Sequence, residues 1–275
     1  MRARRSDSDH ARAASSRDSP AEKVAQVIRN RARDGLPALL AFFTAGHPDR
    51  TSFATNLTRI ANAADVVEIG VPFSDPMADG VSIQRSSRIA LANGASLAWI
   101  FSELSSLSPR PRAPLVLMSY ANPLLVFGVE RLAEQAAKCG VSGFIVPDLA
   151  LEESTPWRDA FDAAGVALVQ LVSPLTPDER LRAICAASRG FVYAVTTTGT
   201  TGSSDALPPE LPAYLARVRA ASSLPVCAGF GIRRAEQVRA LATHADGVIV
   251  GSALVEALER GDDAESFLRS LRARA

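Results

Sequence analysis

The sequence predicts a single α/β domain, a (β/α)8 TIM barrel with an extra N-terminal helix, on three observations. Between Ala38 and the C-terminal end, short apolar runs alternate eight times with amphipathic segments, the pattern of parallel strands buried on both faces and covered by helices. Eight such units fit into about 235 residues, which suits a closed barrel better than a smaller open sheet. No Gly-x-Gly-x-x-Gly fingerprint follows the first run, so nothing marks an open dinucleotide-binding sheet.

The elements follow in order. Residues 1–19 hold five arginines, three aspartates and five serines, with almost nothing to bury, and are expected to form a disordered arm ahead of a barrel domain at 20–275. The arm lacks the apolar centre of a secretory signal, and Asp7, Asp9 and Asp18 do not suit a transit peptide. A cytoplasmic location is expected. Ser19 and Pro20 make a cap and first turn for a helix whose stripe is Val24, Val27 and Ile28 and which stops near Gly35. Strands are expected at Ala38–Thr44, Val66–Ile69, Leu115–Ser119, Gly143–Val146, Ala167–Leu171, Phe191–Val195, Val226–Ala228 and Gly247–Val250. Helices are expected near 51–63, 82–92, 97–107, 130–138, 152–164, 178–187, 210–220, 234–242, 252–259 and 264–272.

Bulk properties exclude several classes of function. A formal net charge of +1 among 275 residues gives no footprint for nucleic acid or an anionic membrane. Apolar residues make up 47%, enough for a sizeable core, yet no apolar run is long enough to span a bilayer. Cys139, Cys185 and Cys227 lie far apart among apolar neighbours and read as reduced core thiols. His10, His47 and His244 form no cluster, so no metal site is expected.

In a barrel, residues at the C-terminal ends of strands face the reaction chamber. Glu68, Asp79, Tyr120, Asp148, Thr196 and Gly229 fall at or just past such ends. Glu68 sits inside an apolar run, where a carboxylate is costly to bury unless it is paired or used. Either a structural ion pair with a buried Arg or Lys or a catalytic role fits that placement. Asp75 and Asp79 lie in the loop that follows, punctuated by Pro72, Pro76 and Gly80; they either cap turns or serve the site.

Glycines recur after the last two strands, at Gly229 and Gly231 and again at Gly251, ahead of Ser252. Such loops let backbone N–H groups and a helix N-terminus approach an anion, and barrels commonly build phosphate sites there. Ser252 either caps its helix or donates to a phosphate oxygen. The long polar loop Thr196–Pro208 is either an excursion or a lid, and Gly202 is placed to add a backbone donor.

The stretch Val67-Glu68-Ile69-Gly70-x-x-Phe73-Ser74-Asp75-Pro76-Met77-Ala78-Asp79-Gly80 resembles the signature of the tryptophan synthase alpha chain family. Similar pieces extend the resemblance across residues 36–255: Phe43-Thr44-Ala45-Gly46-x-Pro48, Ile83-Gln84, Tyr120-Ala121-Asn122-Pro123, Pro147-Asp148-Leu149 with Glu152-Glu153, Gly199-x-Thr201-Gly202, Gly229-Phe230-Gly231-Ile232 and Gly251-Ser252-Ala253. The resemblance implies a lyase that cleaves indole-3-glycerol phosphate to indole and glyceraldehyde 3-phosphate by a retro-aldol reaction. By the same likeness Glu68 and Asp79 are the catalytic pair, and Gly202, Gly231, Gly251 and Ser252 grip the phosphate beside Thr201. Phe42 and Ile83 would line the indole pocket, with Tyr193 beside it. The resemblance further implies a partner beta chain, joined in an alpha-beta-beta-alpha heterotetramer and carrying pyridoxal phosphate, with no cofactor in this chain.

Three departures from the family pattern stand out. Thr197, Thr198 and Thr200 replace the usual lid residues, Ala150 stands where a proline is common, and His47 replaces a more usual Asp or Tyr. Neither acidic position is lost.

The chemistry assigns distinct work to two carboxyl groups. Indole C3 must gain a proton, positive charge on the ring must be balanced, and the glycerol hydroxyl must lose its proton. Glu68, shielded on a strand, suits the proton donor; Asp79, on a loop, suits an ionised partner for the indole N–H. Ser74–Ala78 and Tyr120–Phe127, rich in apolar residues and proline, are the candidate partner surface. Other readings of the same residues are another phosphate-gripping barrel enzyme, a stand-alone lyase that releases indole, and a non-catalytic barrel that regulates a beta chain.

Overall fold

Eight parallel strands close on themselves in sequence order, each hydrogen-bonded to the next and the last to the first. The computed structural model describes residues 19–196, 208–229 and 231–272. The strands are β1 (Ala38–Thr44), β2 (Val66–Gly70), β3 (Leu115–Met118), β4 (Val141–Ile145), β5 (Ala167–Val172), β6 (Val192–Val195), β7 (Val226–Gly229) and β8 (Gly247–Val250). All eight lie where the apolar runs place them, with ends shifted by up to two residues.

Alternation along the strands sorts the core into two. Leu39, Ala41 and Phe43 of β1 and Val67 and Ile69 of β2 point outward and pack under the helices. Ala38 and Leu40, Val66, Val116, Ile145, Ala167, Val169, Tyr193, Cys227 and Ile249 point inward and fill the barrel. A period of two makes this separation automatic once the sheet closes. Glu68 shares the inward set and is paired in register with Phe42 of β1 and Val116 of β3.

The first helix, α1 (Pro20–Arg33), is capped by Ser19, whose hydroxyl accepts the amide of Glu22 at 3.2 Å. Its Val24 and Ile28 join the inward cluster, so α1 closes the barrel at the end opposite the strand C-termini. At that same end the Asp65 carboxylate accepts the Leu39 amide at 2.8 Å and pairs with Arg31 and Arg272, stitching α1 and the C-terminal helix to the start of β2.

Outside the barrel lie α2 (Phe53–Ala63), α3 (Val81–Ala92), α4 (Leu97–Ser106), α5 (Ala121–Phe127), α6 (Val129–Cys139), α7 (Thr155–Ala163), α8 (Asp178–Ala187), α9 (Leu211–Ala221), α10 (Ala235–Leu241), α11 (Ser252–Glu259) and α12 (Ala264–Leu271). The sequence reading misses α5, whose residues it names only as a segment rich in apolar residues and proline. Pro123 is its third residue, within the first turn, where an N–H has no intrahelical acceptor and proline is tolerated. The Asp148 carboxylate then accepts the Ala121 amide at 2.9 Å, one of the free donors of that first turn. All three cysteines are buried and free.

Candidate active site

Glu68 is completely buried in β2, and neither carboxyl oxygen has a hydrogen-bond partner among the described residues. The ion pair considered from sequence is therefore not what holds it. Burial without compensation disfavours the anion and pushes its pKa up to about 8, so the side chain is a neutral acid at neutral pH.

Asp79 follows β2 on the loop before α3, whose cap is Gly80. Burial raises it to about 6, while a hydrogen bond from the Tyr120 hydroxyl acts in the opposite direction. It remains mostly ionised at neutral pH, as its loop position suggests, though by a narrower margin than an exposed aspartate. The Tyr120 oxygen itself accepts the Ala78 amide at 2.9 Å, and the ring stacks on Phe73 at 5.1 Å. Both carboxyl groups also act on Tyr193, whose phenol is pushed well up first by burial and then by the charges of Glu68 and Asp79.

Glu68, Asp79 and Tyr193 open onto one pocket at the C-terminal mouth of the barrel. Every described residue that the resemblance assigns to the site lines it, Phe42, Glu68, Asp79, Ile83, Tyr193, Gly231, Gly251 and Ser252, whereas the strand-end residues Tyr120, Asp148, Thr196 and Gly229 do not. Thr201 and Gly202 lie outside the described residues, as does nearly all of the Thr196–Pro208 loop. Thr196 is described, and its hydroxyl donates to the Gly229 carbonyl at 3.0 Å, which makes it part of the strand end. A smaller compartment adjoins the pocket across Phe42, Asp79, Ile83 and Met118 and reaches Thr44, Ser119 and Tyr120.

Two glycines shape the walls by what they omit. A Cβ on Gly70 would stand 2.5 Å from the Phe42 ring, and one on Gly229 would stand 2.6 Å from the Tyr193 ring. Their absence leaves room for both aromatic rings against the strand backbone. Gly231 has φ +81°, a left-handed conformation that a side chain would strain. Gln237 clamps its loop: the side-chain oxygen accepts the Arg233 and Arg234 amides at 2.7 and 3.1 Å, and the nitrogen donates to the Gly231 carbonyl at 3.2 Å. Ser252 is the first residue of α11, and Gly251 holds the cap position, so its hydroxyl does not cap the helix.

Sequence reasoning did not name Met118, Ile232 or Arg233 as lining residues. Met118 is the last residue of β3, so strand-end position was a usable signal. Arg233 had none, because its place depends on Glu256, a partner remote in the sequence. Among the described residues there is no group of three or more His, Cys, Asp or Glu side chains able to hold a metal ion, and no helix long and apolar enough to cross a membrane.

Fold and cavity together define a closed parallel barrel with two carboxyl groups, Glu68 and Asp79, in one pocket at the C-terminal mouth. The model of the family described as tryptophan synthase alpha chain matches residues 28–275, and the chain belongs to that family. Its members are the lyases that cleave indole-3-glycerol phosphate in tryptophan biosynthesis. The tryptophan synthase alpha chain of Solidesulfovibrio magneticus is 46% identical over 235 residues, covering 85% of this chain and 92% of that one. That of Nitratidesulfovibrio vulgaris is 44% identical over 251 residues, covering 91% and 98%. Among solved structures, a tryptophan synthase of Mycobacterium tuberculosis superposes with a TM-score of 0.83 at 34% identity, covering 91% of this chain and 98% of that one. A tryptophan synthase complex of Pyrococcus furiosus does so with a TM-score of 0.77 at 35% identity, covering 85% and 96%.

Proposed function

We propose that this chain performs the family's cleavage with Glu68 as proton donor and acceptor and Asp79 as the ionised partner of the indole N–H. The observation that carries this reading is the buried, unpartnered Glu68, held neutral in the same cavity as an ionised Asp79. Glu68 gives its proton to C3 of the indole, and Asp79 balances the positive charge that spreads to the ring nitrogen. The Glu68 carboxylate so formed takes the proton of the glycerol hydroxyl. The carbon–carbon bond then breaks, the aldehyde forms, and the bonding electrons return to the ring. Glu68 ends as it began, protonated, so the proton count closes over one turnover.

Phe42, Ile83 and Tyr193 are the walls for the aromatic ring. Gly231, Gly251 and Ser252, with Thr201 and Gly202, are the grip on the phosphate. Binding energy from the phosphate end, remote from the scissile bond, then serves to orient it. Release of indole from indole-3-glycerol phosphate by the purified chain, followed with and without a beta chain, tests the assignment. Glu68→Gln is expected to lower kcat by about a hundredfold or more; near-normal turnover would overturn the role of Glu68.

The partner is a beta chain carrying the pyridoxal phosphate, in an alpha-beta-beta-alpha assembly, and this chain needs no cofactor of its own. Supporting this, Met77 is 81% exposed on one candidate surface segment and Val126 is 82% exposed on the other, with Leu125 beside it. The Phe73–Tyr120 stack and the bond from the Ala78 amide to the Tyr120 oxygen tie these two segments together beside Asp79, which makes them the proposed face. Partner binding at that face would act directly on the loop that carries the ionised acid. A double variant Met77→Asp, Val126→Asp is expected to abolish stimulation of indole release by a beta chain.

A further inference from the structure

The wall of the cavity that carries Gly231, Gly251 and Ser252 also carries Arg233, the only Lys or Arg among the described residues that line it. Its guanidinium makes a two-pronged pair with Glu256, at 2.7 and 3.0 Å. Glu256 also accepts the Ser82 hydroxyl at 2.6 Å, and the arginine beside it holds its carboxyl down at about 2. Glu256 stands four residues after Ser252 on α11, hence on the same face and about 6 Å further along the helix. The Arg233 fork is thus held about one helical turn from the proposed phosphate grip.

We propose that Arg233 is a further binding residue for the anionic end of the substrate, with Glu256 as the resting counter-ion that the anion displaces from it. The inference rests on the phosphate reading of Gly231, Gly251 and Ser252 given above and adds the one feature that grip lacks, a full positive charge. Amides and a hydroxyl supply partial charges only, whereas a guanidinium fork matches two phosphate oxygens as it matches two carboxylate oxygens. Glu256 competes with the incoming anion for the same N–H donors. Its bond to Ser82, three residues after Asp79, ties the anion wall to the helix that follows the acid loop. Occupation of the phosphate end is thereby linked to the placement of Asp79.

The competition gives the two partners opposite signs. Binding of inorganic phosphate to the full chain is measured by titration calorimetry, alongside KM and kcat for cleavage. Arg233→Gln is expected to weaken phosphate binding and raise KM by about tenfold or more, with the larger part of the loss in KM rather than kcat. Arg233→Lys is expected to recover part of it, since it restores charge but not the fork. Glu256→Gln, which keeps an acceptor for Ser82, is expected to leave phosphate binding unchanged or tighter. If the pair were only a pin between loop and helix, both Gln variants would weaken binding alike, and that result overturns the proposal. Unchanged binding by Arg233→Gln also overturns it, while leaving the glycine grip standing. A wild-type chain that does not bind phosphate at all would overturn the grip itself, and this inference with it.

Discussion

The Ala78 amide, one residue before Asp79, donates to the Tyr120 oxygen at 2.9 Å and so fixes the phenol that holds the Asp79 pKa down. Burial alone would push Asp79 toward the neutral form that its role cannot use; the phenol opposes that shift. Tyr120→Phe removes the opposing bond, so the acid limb of the pH–rate profile is expected to move to higher pH. At pH 6.5 the rate should fall by about threefold or more while the alkaline limb stays in place. Steady-state kinetics across pH 5–9 reads both limbs.

The wild-type profile should itself be bell-shaped. Asp79 must be ionised, which fails below about 6, and Glu68 must be protonated, which fails above about 8. The optimum is expected between them, near neutrality. A profile flat to pH 9.5 would show that Glu68 is not the proton donor.

Glu68 also makes stability depend on pH, and the sign is opposite to that of a salt-bridged carboxylate. Its folded value of about 8 lies above the ordinary 4.5. Between those values the folded state holds a proton that the unfolded state has lost, so stability declines as pH rises from about 4.5 to 8 and is level beyond. The upper bound of this effect is about 5 kcal/mol. Asp79 adds a decline of the same sign between its ordinary 3.8 and about 6. Buried His47, whose pKa is lowered chiefly by desolvation, contributes a rise with pH as the histidine of the unfolded chain loses its proton. Comparing wild type with Glu68→Gln isolates the term: melting temperatures of the variant should gain on the wild type steadily from pH 5 to 8.

Gly229 and Tyr193 form a second testable pair. A methyl group on Gly229 would meet the Tyr193 ring at 2.6 Å, and Tyr193 is only 5% exposed and walled in by the barrel core. Gly229→Ala is therefore expected to cost about 1–3 kcal/mol in stability, read by urea unfolding, and to raise KM by displacing the ring from the cavity wall.

Much of this arrangement is legible in the chain because the signals are local. Val66–Ile69 reads as a strand, Glu68 stands out as a carboxylate within it, and the glycines before Ser252 mark a helix start at a strand end. Residues at strand C-termini face one chamber in any barrel, so reading the strands and the glycines after them gathers Glu68, Asp79, Gly231, Gly251 and Ser252, whereas Phe42, Ile83 and Tyr193 came only from the family resemblance. The places where this reasoning fails depend on distant partners. Helix α5 was missed because of Pro123, which sits in the first turn of the helix and leaves no bond unmade. Arg233 was given no role because its placement depends on Glu256, twenty-three positions away.

The order of strands and helices, the inward and outward faces and the chemical types at the mouth follow from the sequence alone, since alternation and helical periodicity are properties of neighbouring residues. The protonation states of the two acids were decided only by the closed barrel. Whether Glu68 finds a cation, or Asp79 a phenol, depends on which side chains from remote parts of the chain arrive beside it and how completely they exclude water. Desolvation and hydrogen bonding act through space, and those distances exist only in the folded molecule.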